Sequence, residues 1–200
     1  MRSESLAALQ QRKQQIRVEA RARLKQQPNQ AELSAEICRK LAALPEYVAA
    51  RTVMFYVNMQ CEVQTQPFLP LAWAQGKRLI VPYCADNRLE LFHLQNLDEL
   101  AEGTLRIFEP KMDLRTRPDR QVDVAQLDLI VVPGLAFDRG GGRLGRGKGY
   151  YDGLLRRVAA RTALVAVCFE CQIFPEIPMA PYDVYVDKVI TEGAVYRRNR

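Results

Sequence analysis

The stretch GGGRLGRGKGYYDG, residues 140–153, sets glycines among three cations, two tyrosines and one carboxylate. Glycine loses more backbone entropy on folding than any other residue, so such a cluster marks unusual dihedrals or a close approach to the main chain. Cations among the glycines select an anion as the visitor, and phosphate is the first candidate. A helix opening at Tyr150 would aim its free amides at the same point. Arg143, Arg146 and Lys148 add mobile donors, and Arg grips phosphate in a bidentate manner. Two known phosphate-loop patterns fit only in part. Gly142 to Lys148 matches most of a Walker loop, but Gly149 stands where Ser or Thr would hold magnesium. Gly140, Gly142 and Gly145 match dinucleotide spacing, yet both patterns begin several residues past the apolar run LDLIVV instead of directly after it. The competing reading is a solvated basic turn.

Other residues carry chemistry less sharply. Lys13 and Arg17 lie four apart on one helix face, which in so cationic a segment reads as a solvated face. Glu62 follows the β-rich run RTVMFYV, at the carboxyl end where open α/β sheets bind ligands. Asp152 is an acid in the first turn of a helix, favourable to its dipole. Asp187 sits in YDVYVDKVI, out of phase with Val184 and Val186, as a strand carboxylate on a wet face would. Cys168-Phe-Glu-Cys171 has no second pair and His93 is the sole histidine, so packing is the better account than zinc, which wants four ligands.

These residues need a scaffold, and composition bounds it. The chain has 200 residues, is 48% apolar, and carries a net charge of +6, enough core for one domain with a bias toward anionic partners. Five cysteines without framework spacing suit a reducing cytosol. No apolar run approaches the ~20 residues of a membrane span. Residues 5–27 and 30–44 read as helices, each ending before a proline. RTVMFYV, KRLIVPYC, RLELFHL, LDLIVVPGLAF, TALVAVCFE and YDVYVDKVI read as strands, with short helices at 67–76 and from Tyr150 on. Strands interleaved with helices predict an α/β fold, a doubly wound and mostly parallel sheet with helices on both faces. Residues 110–126 are the longest irregular stretch and read as a surface excursion.

The segment PGLAFDRGGGRLGRGKGYYD, residues 133–152, resembles the signature of the 5-formyltetrahydrofolate cyclo-ligase family, also called 5,10-methenyltetrahydrofolate synthetases. The basic first helix, NMQCEVQT, GKRLIVP and VDKVIT agree in order and spacing, so the likeness spans nearly the whole chain. It implies one domain over residues 1–200, with helix 5–27 packed on it. It implies an ATP-dependent C–N ligase that closes 5-formyltetrahydrofolate to 5,10-methenyltetrahydrofolate. The implied route passes through a phosphorylated N5-formyl group, an iminium phosphate, and releases ADP and phosphate.

The resemblance also places residues. ATP falls at Lys13, Arg17, Arg143, Leu144, Gly145, Arg146, Gly147, Lys148, Gly149, Tyr150 and Tyr151. The folate borders Val57 and Glu62 and shares Arg146, Gly147, Lys148, Gly149 and Tyr150, with Glu62 suited to the amino-pyrimidinone edge of a pterin. Arg146, Lys148 and Tyr150 are the catalytic candidates, the two cations neutralising the γ-phosphoryl group. Tyr150 or Tyr151 is placed to stack on a ring or simply to pack. Magnesium is the implied cofactor, with Asp152 and Asp187 as its carboxylates. The partners implied are ATP and the folate, with no nucleic acid or membrane, and the expected protein is a cytoplasmic monomer. The alternative is a nucleic-acid-binding module using the basic helix, the Arg-rich loop and the YRRNR tail, although no named nucleic-acid motif is present.

Overall fold

Ser5 accepts the Ala8 amide at 3.2 Å and so caps the first helix, α1, Leu6–Gln26, in the computed structural model, which describes residues 5–103 and 107–198. The expected tail YRRNR ends at Asn199 and Arg200, outside the described residues. Three helices follow or flank the first strand: α2 (Gln30–Ala42), α3 (Pro45–Ala49) and α4 (Leu69–Ala74). Gly76, with φ of 74°, takes the left-handed turn that closes α4. The main sheet holds β1 (Thr52–Met54), β2 (Arg78–Ala85), β3 (Arg88–Leu94), β6 (Leu129–Val132), β9 (Ala163–Val167), β10 (Lys188–Ile190) and β11 (Val195–Arg197). The small pairs β4 (Leu100–Glu102) with β5 (Phe108–Pro110), and β7 (Ala136–Phe137) with β8 (Arg143–Leu144), stand outside it. Two short helices complete the set, α5 (Met112–Arg115) and α6 (Tyr150–Leu155).

Spatial order in the main sheet is β11-β10-β9-β6-β1-β2-β3, and the five inner strands run parallel. The edge strands β3 and β11 are antiparallel to their neighbours. Counted among the parallel strands alone, the order is 2-1-3-4-5, the flavodoxin-like form of the doubly wound sheet. The winding therefore reverses between β1 and β6. Strand β6 shows why both faces are covered. Leu129 and Val131 join the core under α1 to α4, with Ala20, Ile37, Leu41 and Leu69. Ile130 and Val132 point into a second core with Leu154 and Leu155 of α6 and Leu127. All four residues of β6 are inaccessible to solvent, as a continuous apolar run in a central parallel strand requires.

Three expectations from the sequence are corrected here. Helix α6 ends at Leu155, well short of the periodicity in YYDGLLRRVAAR, so the second face is covered by one short helix and irregular chain. In YDVYVDKVI only Lys188–Ile190 pairs, and the earlier residues form a loop. Residues 110–126 contain α5 and two single 3₁₀ turns, and they send Val124 and, less expectedly, Arg120 inward. Arg120 is buried, donating to Glu99 at 2.5 and 3.3 Å and to the His93 carbonyl at 2.9 Å. That pair anchors the stretch, and breaking a buried pair leaves a stranded charge. Arg120→Met or Glu99→Leu alone should cost about 3–5 kcal/mol in urea denaturation, and the double replacement less than either. Additive losses would mean that the pair is not coupled.

Candidate active site

The carboxyl ends of β1 and β6 flank the point where the winding reverses, and a cleft of about 520 Å³ opens there. Beyond β1 the chain presents Tyr56, Val57, Met59 and Glu62. Beyond β6 it presents Pro133, Gly134 and the run Arg143 to Asp152. The ends of β2 and β3 add Pro82, Tyr83, Cys84 and Leu89, and α1 lays Gln10, Lys13 and Arg17 across the opening. Every residue expected at the site lines this cleft except Asp187.

The glycine run divides into two halves with different tasks. From Asp138 to Leu144 it is an anchored hairpin, β7 against β8. The Asp138 carboxylate accepts the amides of Gly140 and Gly142, each at 2.8 Å, and through its other oxygen the amide of Ile177 at 2.8 Å. A side chain at Gly142 would collide with this carboxylate, and one at Gly141, where φ is 86°, with the Val186 carbonyl. From Gly145 to Gly149 the chain is a bent, largely exposed tip, with φ of 105° at Gly147 and 72° at Gly149. The tip carries Arg146 and Lys148 into the cleft. Arg17 of α1 donates to the Gly145 carbonyl at 3.0 Å and ties the tip to the first helix.

Six cationic side chains and four carboxylates line the cleft. Most are paired across it. Arg146 donates to Glu62 at 3.0 Å, Arg143 to Asp152 at 2.6 Å, and Lys13 to Asp183. Lys148 lies 5.7 Å from the Tyr150 ring centroid and has no carboxylate partner among the described residues. Burial, and then the neighbouring Arg21, pull the Arg17 guanidinium below its ordinary pKa, with Asp183 opposing them. Burial and then the Glu62 charge push the Tyr151 phenol well above its ordinary value. It stays a neutral hydroxyl, able to donate across the working range. The cleft is thus richest in positive charge at the loop tip, beside a carboxylate, Glu62, whose loop leads straight out of β1.

Asp187 is elsewhere. It precedes β10 at the amino end of the strands, where its carboxylate accepts the Leu164 amide at 2.9 Å. Asp152 and Asp187 therefore do not meet at one ion. The aspartate that shares the cleft with Asp152 is Asp183, four residues earlier in the same YDVYVD segment. Its Oδ2 accepts both Lys13 and the Ala180 amide at 2.7 Å, a tight loop that strand periodicity concealed. Gln10 and Tyr182, joined at 3.2 Å, were likewise not foreseen. Cys168 packs in the core at the end of β9, and Cys171 is half-buried; neither lines the cleft.

Fold and site together define an α/β protein whose cation-rich cleft sits at the sheet's switch point. The family model of the 5-formyltetrahydrofolate cyclo-ligases matches residues 9–192, and the chain belongs to that family, an enzyme family of ligases. The 5-formyltetrahydrofolate cyclo-ligase of Escherichia coli K12 is 32% identical over 173 residues, covering 84% of this chain and 92% of its own. The mouse enzyme of that name is 32% identical over 194 residues, covering 91% and 94%. Among solved structures, the 5,10-methenyltetrahydrofolate synthetase of Aquifex aeolicus superposes with a TM-score of 0.80 at 33% identity, over 94% of this chain and 93% of that one. A Mycoplasma pneumoniae structure, at 20% identity and TM-score 0.70, shares the fold.

Because Asp138 holds three amides that nothing else would satisfy, Asp138→Ala should lower stability by about 3 kcal/mol in urea denaturation. A cost under about 1 kcal/mol would show that the hairpin holds its shape without that carboxylate.

Proposed function

We propose that the protein catalyses the ATP-dependent closure of 5-formyltetrahydrofolate to 5,10-methenyltetrahydrofolate, releasing ADP and phosphate. The observation that carries this reading is one cleft in which the cationic loop tip, Lys13 and Arg17 face the Glu62 carboxylate, with Arg146 and Glu62 3.0 Å apart. Phosphoryl transfer needs donor and acceptor oxygens in contact and in line, so the two substrates must share a wall. Residues Arg146 to Tyr150 form that wall. Glu62 suits the N–H donors of a pterin edge, beside Val57.

The formyl oxygen attacks the γ-phosphorus and ADP leaves, giving an iminium phosphate at N5. N10 then attacks the iminium carbon, phosphate departs with the oxygen, and the N10 proton is released. Phosphorylation turns a poor leaving group, a formamide oxygen, into a good one. The protein's part is positioning and charge neutralisation. Arg146 and Lys148 neutralise the transferring phosphoryl, Lys13 and Arg17 hold the phosphate chain from the helix side, and Tyr150 borders both substrates.

Magnesium fits the carboxylates of the cleft. Asp152 engages Arg143 through Oδ1, and Asp183 engages Lys13 and Ala180 through Oδ2. Each keeps a second oxygen without a protein partner among the described residues. Two carboxylates completed by phosphates and waters are what magnesium ordinarily takes. When bound, it would offset the charge of the nucleotide phosphates. Among the described residues no group of three or more His, Cys, Asp or Glu forms a dedicated metal cage.

The ligase family does not favour the alternative of a nucleic-acid-binding module. No helix among the described residues is long and apolar enough to cross a membrane. The five free cysteines support a cytoplasmic location, and a monomer remains our reading of the assembly.

Mixing the protein with magnesium-ATP and 5-formyltetrahydrofolate should produce the absorbance of methenyltetrahydrofolate; none at any protein concentration would sink the assignment. Arg146→Ala and Lys148→Ala should each reduce turnover at least about tenfold, the order expected when a charge-assisted phosphate contact is lost. Wild-type rates in both variants would remove the loop tip from the mechanism.

A further inference from the structure

The arginine at the root of the loop differs from the arginine at its tip. Arg146 keeps 41% of its side chain exposed, whereas Arg143 keeps 2%. Arg143 leaves β8, where its register is fixed opposite Phe137. Its guanidinium then runs under the chain. One terminal nitrogen donates to Asp152 at 2.6 Å, the other reaches the Pro133 carbonyl at 3.5 Å, and Nε is buried with no acceptor. The loop's own backbone covers it: a side chain at Gly145 would come within 3.1 Å of Arg143 Nη1. Asp152 stands beside it with 22% of its side chain exposed, lining the cleft from α6.

We infer that Arg143 is a positioning residue for the Asp152 carboxylate and does not bind nucleotide phosphate. This rests on the proposed use of the cleft for magnesium-nucleotide. Arg143 borders the cleft, but only 2% of its side chain is exposed and one of its terminal nitrogens already holds a carboxylate, so it offers a phosphate oxygen almost no surface. To reach its Nη1 or Nε, a phosphate would have to lift the loop backbone off the guanidinium, and to reach Nη2 it would have to displace Asp152 and strand a buried charge. Held as it is, the arginine uses one fork to fix Oδ1, and the anchored hairpin fixes the fork. The remaining Asp152 oxygen then has a defined direction into the cleft. Partners of this kind, one shell behind a metal-binding carboxylate, commonly change metal affinity by about 10–100-fold when lost. Lysine cannot replace it, because a single ammonium on a flexible stem cannot span Asp152 and the Pro133 carbonyl in a planar fork.

The assignment separates two quantities that a phosphate ligand would change together. ADP binding is measured by calorimetry, first in EDTA and then with magnesium chloride. Arg143→Lys should bind ADP in EDTA within about twofold of the wild type, while its gain in affinity on adding magnesium shrinks by about tenfold. Asp152→Asn should shrink the same gain, and the double variant should shrink it no further. A tenfold loss of ADP affinity in EDTA for folded Arg143→Lys would overturn the assignment, as would independent losses in the double variant. A wild-type measurement covers the case in which these variants fail to fold. Phenylglyoxal labelling mapped by mass spectrometry should modify Arg146 with protection by ADP, and leave Arg143 unmodified with or without ADP. Labelling of Arg143 that ADP suppresses would make it a phosphate ligand. The absorbance assay on the wild type reports separately on the function this inference rests on.

Discussion

One carboxylate determines whether this protein has a usable site. Asp138 gathers the amides of Gly140, Gly142 and Ile177 onto its two oxygens, at 2.8 Å each. It thereby folds the glycine run back on itself and fastens it to the chain that leads to Asp183. Without such a clamp, a run this rich in glycine would stay disordered, because each residue loses about 1–2 kcal/mol of backbone entropy when fixed. With it, the hairpin β7–β8 closes, Arg143 is buried in register, and only Gly145 to Gly149 remain exposed. Specific geometry at the tip depends on rigidity at the base. The glycines accordingly serve two ends: Gly141 and Gly142 admit backbone and carboxylate too close for a Cβ, whereas Gly147 and Gly149 supply positive φ at the exposed bend.

The sheet supplies the other half of the site at no cost in special residues. A 2-1-3-4-5 parallel order must reverse its winding somewhere, and the loops leaving β1 and β6 diverge at that reversal. Glu62 comes from one loop and Arg146 from the other, and they meet at 3.0 Å. The adjacency follows from topology, since 84 residues separate them in sequence. Helix α1 closes the third side, and its few cleft contacts are all polar: Lys13 to Asp183, Arg17 to the Gly145 carbonyl, Gln10 to Tyr182. The apolar attachment of α1 sits farther along, at Ala20 and Leu24 in the core. The helix is held by its C-terminal half while its N-terminal half faces the cleft.

Periodicity made the layers legible, and it failed where loops decided the matter. LDLIVV read as a central strand because only a strand buried on both faces tolerates an unbroken apolar run, and β6 is that strand. The loop's chemistry was legible because glycine and arginine occur together for few other reasons. Asp187 was misplaced for a related cause. Alternating residues before a strand look like strand residues, yet Pro181 to Asp187 forms a loop whose turn at Ala180–Asp183 carries the nearer acid, Asp183, into the cleft. Arg120 escaped notice because an arginine in a polar stretch gives no local sign that Glu99, 21 residues earlier, will bury it. The first error concerns a turn that mimics strand alternation and the second a long-range pairing, and neither is contained in a reading by periodicity.

The paired charges of the cleft explain how so cationic a surface stays folded. Left unopposed, six neighbouring cations would repel one another and raise the cost of closing the loop. Glu62, Asp152 and Asp183 each neutralise one of them, and each pair involves a different element of the fold. Exposure grades the pairs. Arg146–Glu62 is open on the arginine side, so under the proposed function Arg146 could turn to a phosphate at a cost of about what a surface ion pair is worth, ~0–1 kcal/mol, provided that the largely covered Glu62 finds a new donor. Arg143–Asp152 is shut on the arginine side, so exchange there would leave a buried charge stranded, a penalty several times larger. A ligand bound as proposed therefore has a reason to displace the first pair and to leave the second intact. The same loop can then yield at its tip while its root keeps the carboxylate aimed.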